Sequence, residues 1–252
     1  MNCLELFCGT KSVGKCCENL GWNVVSLDYE KKFKPTHCVD ILEFDYKQYP
    51  KDHFQVIWAS PDCRFYSKLQ NTWIGRKKKD GIVCTREIIE ENRKYSDKLI
   101  YKVWEIIDYF NPELWFLENP LSSLKDRDVM KDKPMYVVDY CKYSLWGYRK
   151  RTCIWTNKKD FKPLTCHNDC ENMITIETNG AIHTGYGTPI KSKTRTLHKN
   201  PIGDPNKQKA VRNHHSHSFG SGIAGQKCVG GGSNREERYR VPDKLIYSLF
   251  LD

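Results

Sequence analysis

The sequence predicts an α/β fold with an open β-sheet, and three observations support this prediction. Short apolar segments recur along residues 1–157 and are separated by turns or by helical patterns. A glycine-containing turn joins the first segment to a helix, as in the βαβ unit that binds nucleotides. Several segments end in polar or reactive residues, at the edge where such sheets bind ligands. The length of 252 residues suits one medium domain, or one domain with a small lobe.

The first predicted unit is a strand, a helix and a second strand. Residues 3–7 form the first strand, and residues 8–14 open a helix that Gly21 ends as a C-cap. Residues 23–27 form the second strand, which closes on Asp28 at about the usual interval of 20 residues after the turn. Such an acid can accept hydrogen bonds from ribose hydroxyls, whereas the alternative is a solvated turn carboxylate.

The next two predicted strands also end in functional residue types. Residues 37–39 lead to Asp40, and residues 54–59 form a buried strand that precedes Pro61. Proline has no N–H for a central sheet ladder, so the strand stops there and Cys63 lies just past its end. Cys63 is therefore a candidate nucleophile; the alternative is a small buried hydrophobe in a turn.

Residues 87–110 form the clearest helix, which Asn111 and Pro112 end. Four apolar residues lie on one face at helical spacing and indicate core packing: Ile100, Val103, Trp104 and Ile107. Residues 114–117 form a fifth strand, followed by Glu118 and by Pro120, which we expect to turn the chain away.

Two more strands are predicted at residues 135–141 and 151–156. Their link is too short for a crossover helix, so we expect an antiparallel hairpin. Arg149 and Arg151 should point to the same face because alternate residues of a strand do so.

The chain divides into three predicted parts. Residues 1–157 form a catalytic domain, and residues 158–235 form a small basic lobe that is polar and poorly periodic. Residues 236–252 contain a C-terminal helix that begins near Pro242 and returns to the first domain.

The charge balance favours a polyanionic partner such as nucleic acid. Lysine and arginine total 41 against 31 acidic residues, which gives a net charge of +10. The basic run at residues 76–79 lies between Gly75 and Gly81 and predicts a mobile loop that closes on DNA, or else a solvated face.

The sequence shows neither a membrane span nor a signal peptide. Twelve cysteines without an export signal favour reduced thiols and an intracellular protein, in the cytoplasm or nucleus of a host cell.

The ordered motifs resemble those of DNA (cytosine-5)-methyltransferases, in the compact form common in phages and large DNA viruses. Leu6-Phe7-Cys8-Gly9-Thr10 resembles the family's first motif, and Glu118-Asn119-Pro120 resembles Glu-Asn-Val. Residues 60–67, Ser-Pro-Asp-Cys-Arg-Phe-Tyr-Ser, resemble Gly-Pro-Pro-Cys-Gln-x-Phe-Ser. Residues 147–151, Gly-Tyr-Arg-Lys-Arg, resemble Gln-x-Arg-x-Arg, and Val241-Pro242 resembles the closing motif. The similarity covers about residues 2–157 and 238–250.

The resemblance implies a Rossmann-like S-adenosylmethionine-dependent methyltransferase fold with a small irregular recognition lobe. It places Asp28 at the cofactor's ribose and Asp40 near its adenine. The implied cofactor-binding residues are Leu6, Phe7, Gly9, Thr10, Ser12, Asp28, Tyr29, Asp40, Ile41 and Pro61. The implied partner is duplex DNA with a flipped cytosine, no membrane is involved, and a monomer is favoured.

The resemblance also implies the chemistry of each catalytic residue. The Cys63 thiolate adds to carbon 6 of cytosine, and carbon 5 then accepts the methyl group. Glu118 contacts ring nitrogen 3, while Arg149 and Arg151 supply positive charge for the thiolate. Asp62 replaces a family proline, and its charge should raise the thiol pKa unless the carboxylate points away.

The lobe contains soft ligand types that suggest a structural zinc site. Cys166, Cys170 and His183 are the predicted ligands, and the fourth is open among His167, His217 and Cys228. The alternative is ordinary loop cysteines and a surface histidine.

Three other functions remain open from the sequence. One branch of the family methylates tRNA, and nothing in the sequence excludes an RNA substrate. The departures at residues 60–67 also suit a catalytically silent protein that binds nucleic acid on the same fold. A nucleotide-binding oxidoreductase fits the βαβ unit but leaves Cys63, Glu118 and the two arginines unexplained.

Overall fold

The computed structural model describes residues 1–77, 80–145, 149–177, 181–182, 190–191, 194–198 and 240–251. A seven-stranded sheet has the order β3-β2-β1-β4-β5-β7-β6. Its strands are β1 (Asn2–Leu6), β2 (Asn23–Asp28), β3 (His37–Cys38), β4 (Val56–Ala59), β5 (Leu114–Pro120), β6 (Met135–Asp139) and β7 (Arg151–Thr156). The strands from β3 to β5 are parallel, and β7 is antiparallel to both of its neighbours. The predicted α/β class and the predicted β6–β7 hairpin are confirmed.

In the described part of the chain, three α-helices cover the two faces of the sheet: α1 (Ser12–Asn19), α2 (Arg86–Phe110) and α3 (Asp243–Leu251). Alternate residues of the central strands point to opposite faces, so Ile57 packs in the core on the α2 side and Trp58 packs on the other side. Both are fully buried, as expected for central parallel strands.

Helix α2 has a clear start and a clear end. The Thr85 hydroxyl accepts a hydrogen bond from the N–H of Ile88 at 3.3 Å and caps the first turn. Asn111 ends the helix in the left-handed conformation, with φ of 45°. The predicted apolar stripe, which includes Ile100 and Val103, lies in the core.

Strand β5 runs further than the sequence predicts. Its parallel pairing with β4 ends at Leu117, but its antiparallel pairing with β7 continues to Pro120, which pairs with Thr152. Beyond Leu117 the strand therefore has a ladder on one side only, and such an edge tolerates a proline. The strand predicted at residues 114–117 was therefore three residues too short, and the chain leaves it after Pro120.

The C-terminal helix α3 lies against the first βαβ unit. Leu245, Ile246 and Leu249 are fully buried in the core on the α1 side. The N–H of Val241 also donates to the Ser12 hydroxyl at 3.2 Å. These contacts bring the last motif of the chain beside the first.

The lobe segment begins along the edge strand β6. The Asp139 N–H donates to the carbonyl of Leu164 at 3.0 Å, and Phe161 is buried. Further along, β8 (Met173–Glu177) pairs antiparallel with β11 (Thr194–His198), and β9 (Ala181–Ile182) pairs with β10 (Ile190–Lys191). The three-part division of the chain stays a prediction. Within the described ranges, every helix is too short or too polar to cross a membrane.

Candidate active site

The turn after β1 is a strained backbone segment held by Asp28. Phe7, Gly9 and Lys11 all have positive φ, at 57°, 46° and 57°. The Asp28 carboxylate accepts hydrogen bonds from the N–H of Gly9 at 2.9 Å and of Glu30 at 2.8 Å. Because Asp28 is only 7% exposed, it is not a solvated turn carboxylate.

The predicted cofactor-binding residues follow the carboxyl ends of β1 to β4, so they belong to one edge of the sheet. Their exposure differs. The buried members are Leu6, Ser12, Asp28, Ile41 and Pro61; the half-buried members are Phe7, Gly9, Thr10 and Asp40; Tyr29 is exposed.

Cys63 lies past the end of β4, in a segment that α2 and its neighbours hold in place. Tyr66 is fully buried, and its hydroxyl donates to Asp97 of α2 at 3.0 Å. Asp97 also pairs with Arg127, and Arg93 donates to the carbonyl of Phe65 at 3.2 Å. The position of the Cys63 segment therefore depends on polar contacts with α2 as well as on the strand before it.

Glu118 lies in β5, the strand beside β4, and is buried with two donors. The Tyr140 hydroxyl and the Lys150 ammonium both donate to its Oε1, at 2.9 and 3.3 Å. Lys150 is itself buried, with 7% exposure. The Asn119 side chain donates to the carbonyl of Pro61 at 2.9 Å and so connects the Glu118 segment to the Cys63 segment.

The Cys63 thiol is strongly affected by these surroundings. Burial raises its pKa to about 11, and the negative charges of Asp62 and Glu118 act in the same direction. The Lys150 ammonium opposes them and lowers the pKa. The unbound protein therefore holds Cys63 mainly as a thiol at neutral pH.

Arg149 and Arg151 pair with a different carboxylate from the one that Lys150 contacts. Both are paired with the fully buried Asp139, at 2.9 Å and 3.2 Å, so they share a face as predicted. Lys150 lies between them in sequence and reaches Glu118 instead. Sequence reasoning missed Lys150, although alternation along a strand predicts that the residue between two arginines points the other way.

Asp62 interacts with its own turn. Its carboxylate accepts from the N–H of Arg64 at 2.8 Å and pairs with the Arg64 guanidinium at 3.2 Å. The Asp62 charge still raises the thiol pKa, as expected from the sequence, but burial has the larger effect.

No protein-family model matches the chain. A curated relative, the "Probable DNA (cytosine-5)-methyltransferase" of Frog virus 3 (isolate Goorha), is 34% identical over 99% of this chain and 98% of its own length. The chain belongs to the DNA (cytosine-5)-methyltransferase family.

Two solved structures are also similar. The Entamoeba histolytica methyltransferase EhMeth aligns over 99% of this chain and 96% of its own, with a TM-score of 0.51 and 14% identity. At that identity, the similarity supports the methyltransferase fold alone. The S. pombe Dnmt2 methyltransferase has a TM-score of 0.41 and 12% identity, and the match covers 67% of this chain and 52% of that one.

In this family member, the described part of the basic loop is a short hairpin. The Gly75 N–H donates to the Cys84 carbonyl at 2.9 Å, and the Cys84 N–H donates to the Arg76 carbonyl at 2.9 Å. Four apolar side chains are exposed on it: Trp73, Ile74, Ile82 and Val83. Residues 78–79 of the basic run lie outside the described residues.

Two of the predicted metal ligands, Cys166 and Cys170, lie close together, and two residues that were not predicted, Cys141 and His198, lie beside them. The ligand atoms of Cys141, Cys166, Cys170 and His198 all lie within 4.8 Å of one another. Sequence reasoning missed Cys141 and His198, because no local pattern connects residues so far apart along the chain. Of the other predicted ligands, His167 is exposed and hydrogen-bonds Thr165 at 3.3 Å, whereas three lie outside the described residues: His183, His217 and Cys228.

Proposed function

We propose that the chain transfers a methyl group from S-adenosylmethionine to carbon 5 of cytosine in DNA. The observation that supports this most directly is the group formed by Cys63, just past β4, Glu118, in β5, and Lys150, just before β7. A half-buried thiol near a buried carboxyl group and a buried cation suits covalent catalysis with acid assistance. The name of the Frog virus 3 relative supports the choice of DNA and of carbon 5.

The glycine turn and Asp28 are the proposed cofactor site. Among the described residues other than Gly9 and its two chain neighbours, no atom lies within 4 Å of the position that a Gly9 Cβ would take, so a ligand can approach the backbone there. Asp28 is already oriented by two backbone N–H groups and is the proposed acceptor for ribose hydroxyls. These features fit S-adenosylmethionine, which when bound supplies an electrophilic methyl group.

The proposed reaction begins at the cytosine ring. The Cys63 sulfur bonds to carbon 6, and the electron pair of the 5,6 double bond moves to carbon 5, which takes the methyl group from S-adenosylmethionine and leaves S-adenosylhomocysteine. Glu118 hydrogen-bonds ring nitrogen 3 and favours the attack. Loss of the carbon 5 proton then restores the double bond and expels the Cys63 thiolate.

The pKa of Cys63 sets a requirement on the first step. With a pKa of about 11, the thiol must lose its proton as it attacks. Lys150 favours the resulting anion, because its ammonium group lowers the thiol pKa. Lys150 is therefore proposed as a catalytic residue beside Glu118. Arg149 and Arg151 are also proposed to contribute to catalysis, while they stay paired with Asp139.

The net charge of +10 is proposed to attract DNA, and the hairpin that carries Trp73 and Arg76 is proposed to contact it. Carbon 6 of a paired cytosine is not accessible to Cys63, so the base must leave the helix stack. Exposed apolar side chains beside cations suit contact with a distorted duplex. Residues 158–235 are the proposed target-recognition lobe.

One experiment separates this function from its rivals. Purified protein is given labelled S-adenosylmethionine with duplex DNA and, in parallel, with tRNA, and the products are digested and analysed for 5-methylcytosine. We expect label in the DNA alone. Label only in tRNA would move the function to RNA. A duplex that contains 5-fluorocytosine traps an active thiol, and absence of both transfer and adduct would indicate a silent binding protein.

A further inference from the structure

Four potential metal ligands converge at the far edge of the sheet from the glycine turn. Cys141 lies in the 3₁₀ turn Tyr140–Lys142 that follows β6, and it is buried. Cys166 and Cys170 belong to the loop after β7, and His198 is the last residue of β11. We propose that these four residues bind one structural zinc ion that attaches the β8–β11 ladder to the end of β6.

The distances fit a single ion. In a tetrahedral site with Zn–S of about 2.3 Å and Zn–N of about 2.0 Å, neighbouring ligand atoms lie roughly 3.5–3.8 Å apart. The four ligand atoms lie within 4.8 Å of one another, and the Cys166 sulfur is 3.4 Å from Nε2 of His198. Shifts of about one ångström or less would therefore complete the coordination.

The backbone around the cluster is held by contacts that need no metal. Asn172 is buried, and its side chain donates to the carbonyls of Cys141 at 2.9 Å and Ser144 at 2.8 Å. Lys142 pairs with Asp169 at 2.8 Å and so joins the turn after β6 to the Cys166–Cys170 loop. These contacts orient three thiols from two separate segments toward one point.

The Cys166–Cys170 loop itself has the form of a metal knuckle. Two cysteines separated by three residues lie within the spacing found in zinc sites. Asn168, midway between them, has φ of 67°, and this left-handed residue turns the chain tightly. The result is a short turn that presents both thiols to Cys141.

The ligand set indicates zinc in a structural role. Three thiolates and an imidazole match the soft, four-ligand sets of structural zinc sites and leave no position for substrate. A two-stranded ladder such as β8–β11 is only marginally stable alone, so an ion that fixes the end of β11 supplies a missing constraint.

Asp139 connects this site to the proposed active site. Its buried carboxylate accepts from the Cys166 N–H at 2.8 Å and pairs with Arg149 and Arg151. Given the proposed function, loss of the ion should reduce methyl transfer through these arginines, whereas S-adenosylmethionine affinity should hardly change.

The first test measures the zinc content of the full chain, expressed without a histidine tag and purified under reducing conditions. We expect one zinc per chain in the wild type and a loss of at least tenfold in His198→Ala and in Cys170→Ser. Two matched controls, His183→Ala and the exposed Cys38→Ser, should keep one zinc per chain. Zinc that is lost in His183→Ala but kept in His198→Ala would overturn this ligand set.

A second measurement keeps the proposal testable if the variants fail to fold. Zinc is removed from the wild-type chain with a chelator and replaced by Co²⁺. Three thiolates should give strong sulfur-to-cobalt charge-transfer bands and the intense visible absorption of a tetrahedral site. No zinc in the native protein together with no such bands would overturn the proposal, and so would a disulfide between any two of the three cysteines, detected by mass after alkylation.

The outcome is independent of the proposed function. Cys63→Ser should lose methyl transfer and keep its zinc, because Cys63 is not among the four ligands. A wild-type chain that transfers methyl groups but neither holds zinc nor gives the Co²⁺ bands would overturn this inference alone.

Discussion

The carboxyl edge of the sheet has two halves that use buried polar groups in different ways. In the binding half, at the ends of β1 and β2, the Asp28 carboxylate is held by backbone N–H groups. In the reaction half, at the ends of β4 and β5, Glu118 is held by the side chains of Tyr140 and Lys150.

The difference indicates a division of labour. Backbone donors do not titrate and move little, so they produce a rigid acceptor in the binding half. Side-chain donors carry charge and can shift the proton affinity of a neighbouring thiol, as Lys150 does for Cys63. We therefore expect substitutions in the reaction half to affect turnover, and substitutions in the binding half to affect cofactor affinity.

The largest expected effect is that of Cys63→Ser. Serine is far less acidic than cysteine, so it supplies almost no anion to attack carbon 6, and methyl transfer should fall by at least about 1,000-fold. S-adenosylmethionine affinity, measured by calorimetry, should stay within a few-fold of the wild type. Cys38→Ser serves as the matched control and should keep its activity. Appreciable turnover by Cys63→Ser would reject the covalent mechanism.

The second effect concerns Lys150→Gln. Removing the ammonium raises the Cys63 pKa above its value of about 11, so less thiolate is present at any pH below it. Methyl transfer at pH 7 should fall roughly 100-fold, and the rates of both proteins should rise with pH because more of each thiol is ionised. The rate at which iodoacetamide alkylates Cys63, followed against pH, measures the shift directly.

Arg151→Gln is the informative comparison for Lys150→Gln. Arg151 pairs with Asp139, so its loss should leave the alkylation profile of Cys63 close to that of the wild type. If the Arg151 variant shifts the profile as far as the Lys150 variant does, the separate roles assigned to the two cations are wrong.

The third effect tests the binding half through Asp28→Ala. Charge-assisted hydrogen bonds contribute about 1.5–3 kcal/mol, so the dissociation constant for S-adenosylmethionine should rise roughly 10- to 150-fold. Adduct formation with 5-fluorocytosine DNA at saturating cofactor should be reduced much less. An unchanged dissociation constant would remove Asp28 from the proposed site.

The features of the fold and of the sites differ in how far the sequence could predict them. The strands and α2 are marked by local signals, such as apolar runs and the Thr85 and Asn111 caps, and these were located to within a few residues. The extension of β5 to Pro120 depends on which strands lie on either side of it, and that information is not local. Lys150 could have been found from alternation, whereas the meeting of Cys141 with His198 follows only from the tertiary fold.

The smallest expected effect concerns Glu5, a buried carboxyl group of β1 beneath the binding half. Its Oε1 accepts a hydrogen bond from the N–H of Val13 at 3.2 Å. Its Oε2 lies only 2.6 Å from the position that a Gly14 Cβ would take, so a larger residue at position 14 would displace the Glu5 carboxyl group. Burial is the main cause that raises the Glu5 pKa from 4.5 to about 8.

This shift predicts a specific dependence of stability on pH. The folded chain holds the Glu5 proton up to about pH 8, whereas the unfolded chain releases it near pH 4.5. The contribution of Glu5 to the free energy of unfolding is therefore fully present below pH 4.5 and is lost as the pH rises to about 8. Glu5→Gln has the same shape and does not ionise, so it should become more stable than the wild type by up to a few kcal/mol across that window. Urea unfolding of both proteins at pH 5, 7 and 9 measures the difference, and a difference that stays constant with pH would show that Glu5 is ionised in the folded chain.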